Sequence, residues 1–137
     1  MGISKFDITR ADIEQVVATF YKRIRAHPTL GAVFAQSIPN TRAAWAPHEA
    51  KIANFWANAI LSERSYSGNP MQVHMAASHV HAEHFPLWLD LFETTLRDTL
   101  PPDQAEPFTA LARRIGSGLQ MGLIARRQDP ALPPILT

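Results

Sequence analysis

Apolar residues recur every three or four positions almost throughout this chain, the spacing of one helix face turned toward a core. Ile13, Val16, Val17, Phe20 and Ile24 form the first such stripe and predict a long helix from Ala11 to Ala26. Thr9 is its candidate cap, with Asp12 near the positive end of the helix dipole. His27-Pro28 stops it, because the residue before a proline avoids helical dihedrals. A short helical turn follows and ends near Phe34. Trp45, His48, Ile52, Phe55, Trp56 and Ala59 mark the next helix. On it His48, Ile52, Phe55 and Ala59 step by four, three and four, so they share one face. Pro47 belongs in its first turn or at a kink.

Ser62 to Asn69 is a predicted loop, punctuated by Gly68-Asn69-Pro70. Asn69 is a natural N-cap and Pro70 a natural first residue for a short helix bearing Met71 and His74. A third long helix, His84 to Leu100, carries the stripe Phe85, Trp88, Leu89, Phe92, Leu96 and Leu100. Pro86 is tolerable there only near the start, and Pro101-Pro102 end it. A final helix, Asp103 to Arg127, turns Phe108, Leu111, Ile115 and Leu119 inward, and Gly116, Gly118 and Gly122 are candidates for close helix approach. No strand-like alternation and no hairpin dipeptide is present, so the expectation is an all-α chain. One domain over residues 1–127 with a loose proline-rich tail at 128–137 is the expected organisation.

Composition narrows the function classes. A length of 137 residues suits a single domain. Charged residues are 18% and hydrophobic residues 46%, which argues against disorder away from the ends. Thirteen basic against twelve acidic residues leave a net charge of +1, so no concentrated basic surface for nucleic acid is expected. The absence of cysteine removes disulfides, thiolate metal sites and thiol nucleophiles. No apolar run is long enough to span a bilayer, Met1 to Asp7 lacks an apolar leader core, and Phe6 stands where a myristoylation signal needs Ser or Thr. These features lead us to expect a cytoplasmic protein without a membrane partner.

Six histidines remain as candidate chemistry, four of them between His74 and His84. Three readings compete. They are ordinary surface and core-edge residues; or His79, His81 and His84, with Glu83 as the nearby carboxylate, hold zinc or iron; or His74, on a short helix between Val73 and Met75, offers one axial ligand to haem iron. His48-Glu49 is not a zincin motif, because Ile52 stands where the second histidine is needed. No nucleophile elbow, phosphate loop or dinucleotide fingerprint is present. Three Trp, seven Phe and two Tyr can fill a small bundle or wrap a flat apolar ligand.

Several blocks taken together resemble a known family. They are Phe20-Tyr21-Lys22-Arg23-Ile24-Arg25, Leu30-Gly31-Ala32-Val33-Phe34, His48-Glu49-Ala50-Lys51-Ile52-Ala53-Asn54-Phe55-Trp56, Tyr66-Ser67-Gly68-Asn69-Pro70, His74, and Phe85-Pro86-Leu87-Trp88-Leu89-Asp90-Leu91-Phe92. In this order, from about Thr9 to Arg127, they resemble the truncated haemoglobins of group III. The absence of any Gly-Gly pair fits that group, whereas Pro47 and Pro86 depart from its pattern.

The resemblance implies a globin-like two-over-two helical sandwich around a b-type haem (iron protoporphyrin IX). Carried over position by position, His74 matches the proximal iron ligand. Tyr21, His48 and Trp88 match the residues that stabilise a ligand on the distal side. Phe34, Ile52 and Phe55 match apolar contacts of the macrocycle, and Met71 and Phe85 complete the expected haem pocket. Ligands would be O2, CO, NO or peroxide. A diatomic ligand that draws electron density becomes partly anionic, and the Tyr21 O–H and Trp88 N–H can each donate to it. The role of His48 stays open between gating the pocket, hydrogen-bonding the ligand and binding iron itself. A pocket with strong donors suits NO dioxygenation or peroxide reduction better than easy O2 release. Either reaction would need a separate reductase. The rival readings are a His-rich helical metal enzyme and a non-haem helical interaction module.

Overall fold

The structure, a computed structural model, describes residues 6–36, 38–39, 41–62 and 81–128, with the side chains of 126–128 left aside. Among these residues it contains five helices: α1 (Arg10–Ala26), α2 (Leu30–Ala35), α3 (Arg42–Leu61), α4 (His84–Thr99) and α5 (Pro102–Gln128). The all-α expectation holds. The expected short helix with Met71 and His74, and the chain beyond Gln128, lie outside the described residues.

Local chemistry explains the boundaries. The Thr9 hydroxyl accepts from the Asp12 N–H at 3.1 Å, and the Asp12 carboxylate accepts from the Thr9 N–H at 3.1 Å. Two orphan donors are thereby satisfied at the head of α1. His27 leaves the helix in an extended conformation. Its side chain then does something the sequence pattern does not announce: Nδ1 accepts from the N–H groups of Thr29 and Leu30 at 3.1 and 3.0 Å. That caps the α1–α2 corner. A Cβ on Gly31 would stand 3.0 Å from the Arg25 carbonyl oxygen, so glycine lets α2 fold tightly onto the end of α1.

The prolines fall unevenly. Thr41 caps α3 through its hydroxyl, 3.2 Å from the Ala44 nitrogen, so the helix opens at Arg42. Pro47 therefore lies in the second turn rather than the first, where its missing N–H leaves the Ala43 carbonyl without its helical donor. Pro86 sits in the first turn of α4, as expected. Pro102 opens α5 one residue earlier than expected, and Pro107 lies in its second turn. Ser62 ends α3 with a left-handed φ of 60°.

Two helix pairs, α1 with α3 and α4 with α5, meet through α1 and α4, with α2 lying against both of those helices. The seam is lined by Ile13, Val16, Val17, Phe20 and Ile24 from α1, Trp56, Ala57 and Ile60 from α3, Leu89, Phe92 and Leu96 from α4, and Phe108 from α5. Every member of the stripe expected on α1 is buried. Of the glycines on α5, Gly116 permits a close approach, since a Cβ there would come within 2.9 Å of the Leu89 side chain. Gly118 does not, because nothing stands within 4 Å of it. Ion pairs tie the pairs at their rims, Arg23 to Asp98 at 2.9 Å and Arg113 to Asp90 at 3.1 Å. Partly exposed as they are, each contributes about 0–1 kcal/mol.

Candidate functional site

Tyr21 follows Phe20 on α1, and both are buried. Phe20 enters the central seam, whereas Tyr21 faces α2 and α3. Its ring centroid lies 4.9 Å from His48, 5.7 Å from Trp45 and 5.9 Å from Phe34. His48 in turn lies 5.6 Å from Trp45, edge to face, and 6.0 Å from Phe34. Four rings from three helices thus enclose one another. The capped corner delivers Phe34, and the three-residue step on α3 sets Trp45 beside His48.

Trp88 on α4 joins this group through Tyr21. The Trp88 indole stands close enough to the Tyr21 hydroxyl to favour its charged form. An indole N–H can only donate, so in a contact between the two the Tyr21 oxygen is the acceptor. The two expected donors thus lie side by side. Trp88 also meets Phe20 edge-on at 5.2 Å.

Burial governs the electrostatics. It pushes the Tyr21 hydroxyl well above its ordinary value, the Glu49 charge adds to this, and the Trp88 indole opposes both. Tyr21 is therefore a neutral phenol at any ordinary pH. Burial pushes the His48 imidazole down to about 4, and Lys51 adds to the effect. His48 is neutral near pH 7, and its Nε2 is buried without a hydrogen-bond partner among the described residues. The Nε1 atoms of Trp45 and Trp56 are in the same position. Such orphaned polar atoms are uncommon in native interiors and call for an explanation.

Ile52 and Phe55 continue the His48 face of α3, and both are half-buried. Phe85 is buried in the first turn of α4, three residues before the half-buried Trp88. Met71 and His74, the expected pocket residue and metal ligand, lie outside the described residues, as does His79. The His84 Nδ1 accepts from the His81 backbone N–H at 2.9 Å. Among the described residues no group of three His, Cys, Asp or Glu could hold a metal ion. A groove of about 190 Å³ opens between α1 and α3, lined by Glu14, Val17, Glu49, Ala50 and Ala53; it lacks the rings of the site. Among the described residues no helix is long and apolar enough to cross a membrane.

The sequence pattern missed Trp45 and Arg25 as members of this neighbourhood. Trp45 was legible in principle, since it stands one helical step before His48. Arg25 was not, because its guanidinium reaches the site only by lying 5.3 Å above the Trp45 ring.

No protein-family model matches the sequence. The group 3 truncated hemoglobin ctb of Campylobacter jejuni is 32% identical over 117 residues, spanning 85% of this chain and 92% of that protein. The crystal structure of group III truncated hemoglobin from Campylobacter jejuni matches the fold with a TM-score of 0.81 at 30% identity, covering 88% of this chain and 95% of that one. The chain belongs to the group III truncated haemoglobins. The two helix pairs are accordingly a globin-like fold.

A haemoglobin family implies a haem cofactor, and the residues present suit one. A flat apolar macrocycle needs half-buried apolar side chains beside it, and Phe34, Ile52, Phe55 and Trp88 of this truncated haemoglobin are side chains of that kind. It also needs polar groups near its face that are not already satisfied by protein. The His48 Nε2 meets that description.

Proposed function

We propose that this truncated haemoglobin holds a b-type haem on His74 and binds O2, CO or NO beside Tyr21. Phe34, His48, Ile52, Phe55 and Trp88 flank the haem on the distal side, and Met71 and Phe85 complete the pocket. Haem supplies the iron that takes the ligand and moves electron density onto it. The chain's own residues do the rest. Tyr21 donates its hydroxyl proton to the partly anionic ligand, while Trp88 fixes the direction of that O–H by occupying the oxygen's acceptor side. His48, neutral and turned toward the other rings, stands at the entrance.

The observation that carries this reading is the burial of the neutral Tyr21 hydroxyl among the rings of Phe34, Trp45 and His48. It places a donor in an apolar enclosure, where a bond to a charged group contributes about 1.5–3 kcal/mol. Such a donor slows release, which favours reaction of the ligand over simple storage. NO dioxygenation or peroxide reduction, with electrons from a separate reductase, is the chemistry we assign. The test is haemin uptake by the purified protein, read from its Soret band. His74→Ala should lose that band, while His81→Ala and His84→Ala keep it. A parent protein that takes up no haemin overturns the reading.

A further inference from the structure

The Arg25 guanidinium lies 5.3 Å above the centre of the Trp45 ring, and its Nε donates to the Tyr21 carbonyl oxygen at 3.3 Å. No carboxylate pairs with it among the described residues. Trp45 is itself 2% exposed, with an indole N–H that has no partner among the described residues. A leucine would fill that space without burying a donor, so apolar filling alone does not account for an indole here. What the indole adds is a large π face, the best aromatic surface for a cation. It also packs on Tyr21 and Phe34, at 5.7 Å each, and meets His48 edge to face at 89°.

We propose that Arg25 and Trp45 act as a positioning pair that keeps the His48 ring turned inward and thereby sets how fast ligands enter the pocket. His48 is held by Tyr21, Phe34 and Trp45. Tyr21 is fixed by its burial beside Phe20, and Phe34 by the capped corner. Trp45 is the wall of this enclosure that is anchored by a half-buried charged side chain on a different helix. Removing the cation loosens that wall, which keeps its contacts with Tyr21 and Phe34, and leaves the other two in place. His48 then gains room to rotate outward, and the share of molecules with an open entrance rises.

This inference rests on the haem reading above, so the experiment has one readout that needs haem and one that does not. The first is CO association to the ferrous protein after flash photolysis. Arg25→Met, which keeps the stem and removes the charge, should raise the association rate roughly three- to tenfold, the range expected when a contact of this strength stops biasing an equilibrium. Arg25→Lys keeps a cation over the ring and should stay near the parent rate. The O2 release rate, which depends on Tyr21, should change less than twofold in both. The second readout is the proximity of the His48 and Trp45 rings by proton NMR; it should weaken in Arg25→Met and persist in Arg25→Lys. A haem-loaded Arg25→Met protein with the parent CO rate overturns the proposal. So does an Arg25→Lys protein that behaves like Arg25→Met, or a ring contact unchanged in Arg25→Met. A parent that takes up no haem overturns the haem reading instead, and the ring contact still tests the pair.

Discussion

Phe20 and Tyr21 are neighbours on α1, yet they open onto two aromatic clusters of different character. Around Phe20, Phe92 stands at 4.8 Å and stacks on Trp56 with an interplanar angle of 14°, while Phe108 closes the group at 5.5 Å from Phe92. All four are at most 2% exposed, and none titrates. Around Tyr21, the rings of Phe34, Trp45 and His48 pack at similar distances, but the group includes two titratable side chains. Burial shifts those two in opposite directions, Tyr21 up and His48 down, and the effect is the same: both are held neutral. Ring packing alone does not distinguish a core from a site. Buried titratable groups inside the packing do, since the Phe20 cluster also holds an unpartnered indole N–H, that of Trp56.

The largest effect should separate the clusters by stability. Phe92→Ala removes the ring that touches Phe20, Trp56, Trp88 and Phe108 at once. It should cost about 3–5 kcal/mol in urea unfolding, as truncation of a buried Phe does. Phe34→Ala, at the half-buried rim of the other cluster, should cost distinctly less and alter ligand binding instead. Equal losses would mean that the Tyr21 group is simply more core.

The same division explains what the sequence disclosed. The stripe from Ile13 to Ile24 specifies α1 because a 3.6-residue period admits one burial solution, and the Thr9–Asp12 box marks its start. Likewise His48, Ile52 and Phe55 were legible as one face, and Tyr21, His48 and Trp88 through the family resemblance. Contacts between helices were not legible. Nothing in the order of residues shows that Trp88 stands beside Tyr21, because that depends on how α4 crosses α1. Nor does it show Arg25 above Trp45. The place of Pro47 stayed open between the first turn and a kink for a simpler reason: the cap at Thr41 lies a full turn upstream of Trp45, the first residue that marks the helix.

The next effect sharpens the comparison on the ligand side. Tyr21→Phe removes the donor and should speed O2 release roughly ten- to a hundredfold, since a bond of about 1.5–3 kcal/mol is lost. Trp88→Phe should act through Tyr21, by letting the hydroxyl wander, and so produce a smaller acceleration. The double variant should then match Tyr21→Phe rather than the product of the two, because residues in one network do not act additively. A full product would mean that Trp88 donates to the ligand independently. CO release, with little charge on the ligand, should respond far less in all three.

The smallest effect is a pH dependence confined to the Tyr21 cluster. His48 titrates near 6.5 when unfolded and at about 4 in the folded protein. Between these values the unfolded chain takes up a proton that the folded chain refuses, so stability rises with pH across that window. The contribution of His48 is therefore fully present above pH 6.5 and is lost as pH falls toward 4. Because the ring is only half-buried, solvent screening limits it to the order of 1 kcal/mol. His48→Phe should remove this part of the slope, so that parent and variant, compared by urea unfolding at pH 7 and at pH 4.5, diverge in favour of the variant at the lower pH. Phe92→Leu, in a cluster without titratable groups, should cost the same at both. A parent whose margin over His48→Phe does not shrink on acidification would show that the imidazole reaches water, and the enclosure around Tyr21 would be open on that side.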